Sequence, residues 1–82
     1  MLPRRRKLVY SNHALEEMGL RGISKEDVRV ALENHDTSYP GMGRKRTIHK
    51  IGTAPSGRRL NVILAEKPSN LVVTAYWWEG TT

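Results

Sequence analysis

Apolar residues change their spacing partway along this chain. Before about residue 36 they recur at three- and four-residue intervals, and after it they alternate or run together. The first part therefore reads as helical and the second as strands. Lys7-Leu8-Val9-Tyr10 reads as a short opening strand. Ser11 or Asn12 then offers an N-cap, with Glu16 and Glu17 in the early turns, where the helix dipole favours anions. Ala14, Leu15 and Met18 form a partial apolar stripe, and Gly19 with Gly22 ends this first helix. The second helix carries a clearer start signal. Ser24 is followed three positions later by Asp27, a variant of the capping box, and Ile23 can pack on Val28 as a hydrophobic staple. Val28, Ala31, Leu32 and His35 then mark one buried face.

Pro40-Gly41-Met42-Gly43, Pro55-Ser56-Gly57 and Lys67-Pro68-Ser69-Asn70 read as turns or loops. The runs that follow them, 44–52, 58–66 and 71–78, are rich in the β-branched, aliphatic and aromatic residues that suit half-buried strands. The expected architecture is one α+β domain over residues 1–82, in the order β-α-α-β-β-β, with two helices on one face of an antiparallel sheet.

Parity assigns faces. In the last strand Leu71, Val73, Ala75 and Trp77 form an apolar set for the helices, leaving Val72, Thr74, Tyr76 and Trp78 on an open face. In the middle strand Leu60, Val62 and Leu64 point inward, and Arg59, Asn61 and Ile63 point outward. The first strand of the three has two registers. Ile48 and Ile51 differ in parity, so either the strand is bulged or one isoleucine leaves the core. With Ile51 inward, Arg46 and Lys50 face outward. With Ile48 inward, His49 joins Lys45 on the open face.

The chain has 82 residues and no cysteine, which excludes disulfides and zinc-finger spacings. No apolar run approaches the roughly 20 residues that span a bilayer. The start, MLPRRRKLVY, is basic without an apolar segment behind it, so it reads as mature and cytoplasmic, with residues 1–6 as a flexible basic arm. Read instead as a nuclear address, Arg4-Arg5-Arg6-Lys7 is too generic to be diagnostic.

Charge changes the picture more. The net charge is +6, distributed as +4 over residues 1–10, −3 over 11–36, +6 over 37–60 and −1 thereafter. Residues 37–60 contain no acid, and "RKRTIHK" at 44–50 sets four cations beside His49. Segregation of this kind marks a surface for nucleic acid or another polyanion.

Cations beside exposed aromatics make a platform for single-stranded RNA or DNA. Metal-free RNA cleavage requires an acceptor for the 2′-hydroxyl proton, a donor to the leaving 5′-oxygen and cations at phosphorus. Histidine, lysine and tyrosine can transfer those protons, and arginine can bind phosphate at two points. His13 serves equally as a helix-start residue, and His35 as a packed histidine at a helix C-terminus. Three scattered histidines have no metal-ligand spacing, and Gly41-Met42-Gly43-Arg44-Lys45 lacks the Walker pattern. No metal or cofactor is expected. Trp77 suits the core, and Trp78 suits base stacking or an interface. Tyr10 and Tyr39 carry no clear signal.

The pattern Y-S-x-H-A-x-x-x-M-x-x-R-G-I-S over Tyr10–Ser24, G-R-R-L-x-V over Gly57–Val62 and V-V-T-A-Y-W over Val72–Trp77 resembles a family of small bacterial and phage domains of unknown function. That family is in turn similar to the RelE- and BrnT-type toxins. The resemblance implies a RelE-like fold and a metal-independent ribonuclease, often paired with an acidic or flexible antitoxin. His13, Arg21, Thr74 and Tyr76 match by motif. Where the family has arginine before the methionine, this chain has Glu17, a reversed charge.

The leading expectation is therefore a toxin-type RNA endonuclease. His13, His49 and Tyr76 would serve its chemistry. Arg21, Arg44, Lys45, Arg46, Lys50, Arg58, Arg59, Thr74 and Trp78 would hold RNA, with mRNA on the ribosome as one target and a small antitoxin as partner. The alternatives are a non-catalytic nucleic-acid-binding or regulatory module on the same face, and a protein-interaction domain.

Overall fold

The computed structural model describes residues 7–44 and 46–79. The expected basic arm over residues 1–6 lies outside the described residues, as does Lys45. The elements are β1 (Val9–Tyr10), α1 (Asn12–Arg21), α2 (Lys25–Glu33), β2 (Thr37–Pro40), β3 (Thr47–Thr53), β4 (Arg59–Ala65) and β5 (Leu71–Trp77). They build an α+β fold with one five-stranded sheet in the order β1-β5-β4-β3-β2.

The sheet departs from expectation twice. It is mixed, because β1 runs parallel to β5 while every other pairing is antiparallel. It also has an extra edge strand, β2. Thr-Ser-Tyr-Pro is exposed at all four positions and shows no apolar alternation, so periodicity could not reveal it. Its pairing with β3 defines it, and its proline fits an edge.

Both helices start as their caps dictate. Ala14 N–H donates to Ser11 Oγ at 3.0 Å, and α1 ends on Gly22, whose φ of 67° is left-handed. In α2, Asp27 N–H donates to Ser24 Oγ at 3.0 Å, and Ser24 N–H donates to Asp27 Oδ2 at 2.9 Å, completing the capping box. Ala14, Met18, Val28 and Ala31 are buried, whereas Leu15 is exposed and drops out of the α1 stripe. His35 also leaves its expected buried face. It lies beyond the end of α2, exposed, with Nδ1 2.7 Å from the Leu32 carbonyl oxygen.

The core lies between the helices and one face of the sheet. Leu60, Val62 and Leu64 of β4 and Val72 and Ala75 of β5 pack there with Ile23 and the buried positions of both helices. Helix α2 sits so close to β3 that a Cβ at Gly52 would run into the Ala31 carbonyl. That contact fixes the β3 register. Gly52, Lys50 and Ile48 share the helix side, and Ile51, His49 and Thr47 share the other. There is no bulge in β3, and Ile51 is the isoleucine that leaves the core, yet it is buried on the opposite face.

The bulge lies in β5. Ile63 pairs with Thr74 and Leu64 with Val72, so Val73 is the extra residue. The parity expected for this strand therefore fails in its first half. Val72 enters the core, while Leu71 and Val73 turn to the open side, where they line a cleft with Thr47 and Ala65.

Candidate active site on the open sheet face

Hydrogen-bond register arranges the open face in rows. Tyr39, His49, Ile63 and Thr74 lie side by side across β2-β3-β4-β5, and Thr37, Ile51, Asn61 and Tyr76 form the next row. Arg59 pairs with Thr53 one step further along.

Asn61 is the centre of the face. It is the buried polar residue of the described chain, with relative exposure of 0%. Its Nδ2 lies 3.0 Å from Tyr76 Oη, 3.3 Å from Tyr39 Oη and 3.3 Å from His49 Nδ1. Tyr39 stacks on the His49 ring, with centroids 4.8 Å apart and planes 18° from parallel. An amide has two N–H donors, so it serves two of these three neighbours at a time. Donation to His49 Nδ1 leaves the neutral ring's proton on Nε2. Gly41 packs beside that edge: a Cβ there would meet Thr47 Oγ1 and lie 3.1 Å from His49 Nε2. Glycine keeps the Nε2 edge uncovered.

Burial, reinforced by neighbouring Tyr39, raises the Tyr76 phenol above its ordinary value of 10.0. Tyr76 is therefore a neutral O–H at physiological pH, a proton donor and not a base. Asn61 Oδ1 and Thr74 Oγ1 are both buried without a protein partner. These sealed atoms lie beside an imidazole and two phenols that remain partly exposed at the centre of the face.

The cations are committed elsewhere to a degree the sequence did not reveal. Arg59 grips Asp36 with both terminal nitrogens, at 2.6 and 2.9 Å, and donates to Thr53 Oγ1 at 3.2 Å. The guanidinium holds the Asp36 carboxyl down at about 2, from an ordinary 3.8. Arg21 donates to Glu17 at 2.8 Å and to the Ala75 carbonyl at 3.1 Å. Glu17 thus occupies one of the cations expected to hold RNA. Arg46 makes a long 3.4 Å pair with Glu66 and remains 80% exposed. Arg58 lies over the Trp77 ring at 4.2 Å, while Trp77 Nε1 donates to the Arg21 carbonyl at 2.8 Å, so both belong to the scaffold of the β5 end.

His49, Tyr76 and Thr74 come together on the open face. His13 does not join them. It lines the separate cleft with Ser11, Arg46, Thr47, Ala65, Leu71 and Val73. Lys50 points to the helix side, away from His49. Arg44 is exposed in the β2–β3 loop, and Trp78 is exposed just beyond β5. Sequence reasoning gave no role to Asn61 or Tyr39. A lone amide inside the apolar run Leu60–Leu64 was the available signal for Asn61. Tyr39 had none, because its strand exists only through pairing. Among the described residues, no group of three histidine, cysteine or acidic residues could hold a metal ion. No helix of the described residues is long and apolar enough to cross a membrane.

Fold and site define a small α+β domain with a polar constellation on an uncovered sheet face. The family model for DUF4258, a domain of unknown function, matches residues 10–77, and the chain belongs to that family. No curated protein and no solved structure matches the chain.

Proposed function

We propose that this domain is a metal-independent RNA endonuclease of the toxin type, related to the RelE and BrnT toxins. The observation that carries the reading is the Asn61 amide gathering His49, Tyr39 and Tyr76 on the sheet face that no helix covers. A fold in need of stability alone gains little from burying an amide with an unspent oxygen, whereas a reaction site gains orientation from it. The element order also suits such a fold, with β2 as an addition at the sheet edge.

In the proposed reaction the Asn61 amide turns so that Oδ1 accepts from His49 Nδ1–H, and the uncovered Nε2 takes the proton of a ribose 2′-hydroxyl as that oxygen attacks the adjacent phosphorus. The P–O5′ bond breaks, and the neutral Tyr76 phenol gives its proton to the departing oxygen. The products are a 2′,3′-cyclic phosphate and a free 5′-hydroxyl, and a proton returns from His49 to the tyrosinate through solvent. Arg46 and Arg44 draw in the strand. A small acidic protein covering this face is the expected partner.

The test adds wild type, His49→Ala and Tyr76→Phe to a translating cell-free extract and maps new RNA ends by primer extension. Discrete ends are expected for wild type, with each variant reduced by about 10²-fold or more while RNA binding persists. Intact RNA at protein concentrations that saturate binding would sink the enzyme reading. The Arg59–Asp36 and Arg21–Glu17 pairs favour a second reading, a binding module that holds RNA without cutting it. It predicts salt-dependent binding and no new ends.

A further inference from the structure

We infer that the cleft beside the start of β5 is a pocket for one unstacked nucleobase of single-stranded RNA, an inference that rests on the RNA-acting reading above. The cleft has a volume of about 390 Å³. That is near the lower end of the range of about 300–1,000 Å³ for small-ligand sites, so it takes a single nucleotide and no stacked pair.

Its floor exists because of the β5 bulge. The extra residue turns Val73 out of the core and beside Leu71, and the small side chain of Ala65 across the ladder leaves depth between them. These three give an apolar bed for the face of a base. Around it stand Thr47 and His13, whose hydroxyl and imidazole can read polar base edges, and Arg46, 80% exposed and held only by its long 3.4 Å pair with Glu66, within reach of a phosphate. Ser11 is part of the wall. Its hydroxyl already accepts from Ala14 N–H and donates to the Val73 carbonyl at 3.1 Å.

Charge selects the occupant. The loop and strand that bring Arg46 belong to the segment 37–60, which has six cations and no acid, so an anionic strand is favoured over an acidic-poor peptide. Distance along the strand links the two sites. Thr47 of the cleft and His49 of the central cluster are two residues apart on the same face of β3, as are Ala65 and Ile63 on β4. A base seated in the cleft places its own backbone at the edge of the His49 row. His13 accordingly contacts the base and is not the group that moves protons.

The experiment follows the methyl groups of Ala65, Leu71 and Val73 and the ring signals of His49 and Tyr76 by NMR. The probes are an RNA tetranucleotide, nucleoside 5′-monophosphates and ribose 5-phosphate, which lacks a base. Saturable cleft shifts with the tetranucleotide and monophosphates, but not with ribose 5-phosphate, are expected. Filling the pocket with Ala65→Leu should weaken monophosphate binding about tenfold. His13→Ala should weaken it in the same sense, and this exposed position keeps the test available if Ala65→Leu misfolds. Equal shifts with ribose 5-phosphate overturn the base pocket in favour of a phosphate contact. Shifts confined to His49 and Tyr76 overturn it while leaving the RNA reading standing. No response to the tetranucleotide anywhere on the face sinks both.

Discussion

On the helix side of the sheet, Leu60, Val62, Val72 and Ala75 are buried because two amphipathic helices lie over them. On the other side Asn61 and Ile51 are buried about as deeply with no helix above, and the side chains of Tyr39, His49 and Tyr76 converge on the Asn61 amide. Apolar area removed from water explains the first face at about 25 cal/mol per Å². It does not explain the second, where two polar atoms are sealed off without partners at a cost. One face is built for stability, and the other retains polar groups at the expense of stability. That contrast supports the site proposed on the open face.

The sharpest way to break the comparison is to overpack the helix side. Gly52→Val drives side-chain carbon into the Ala31 carbonyl, which is backbone and can move only with α2. A loss of about 3 kcal/mol or more in urea unfolding is expected. On the open face, Ile51→Val should cost only about 1 kcal/mol.

Asn61→Leu tests the second face directly. It removes the buried unpaired oxygen and leaves three partly exposed groups that water can serve, so stability should stay within about 1.5 kcal/mol of wild type. Cleavage should fall, and nitrogen NMR should show a changed balance of His49 tautomers. A loss of several kcal/mol with the tautomer unchanged would make Asn61 a structural residue only.

A smaller effect comes from freeing Arg59. Asp36→Asn should tighten RNA binding and steepen the slope of log affinity against log salt by about 0.7, the increment for one more phosphate contact to a single strand. The same pair predicts an acid response. Asp36 has a folded pKa of about 2 against an ordinary 3.8, so its pairing stabilises the fold above about pH 4. That contribution is lost as pH falls from about 4 through about 2, and the variant should decline less over that window. Smallest of all, Glu17→Gln should cost about 0.3–0.5 kcal/mol, the value of an exposed i,i+4 pair, while releasing Arg21. An unchanged RNA affinity would place Arg21 outside the binding surface.

Much of this was legible in the sequence, and the boundary has a physical basis. Both helices follow from local chemistry: Ser11 and Ser24 cap within three residues, and Met18 and Val28 fall on buried faces by the 3.6-residue period. The three long strands and the outward placing of Asn61, Thr74 and Tyr76 follow from alternation, which holds wherever the pleat is regular. Alternation could not see the Val73 bulge, because an extra residue reverses parity without leaving a compositional mark. Nor could it see β2, whose existence depends on a partner strand, or the parallel docking of β1 on β5. The ion pairs of Arg59 and Arg46 join residues 23 and 20 positions apart. The sequence by itself thus determined the helices, the long strands and the abundance of positive charge, since each depends on near neighbours. Only the tertiary structure decided which cations were already paired, which isoleucine left the core, and that His49 and Tyr76 meet through Asn61. Those depend on contacts between distant segments, which no local pattern encodes.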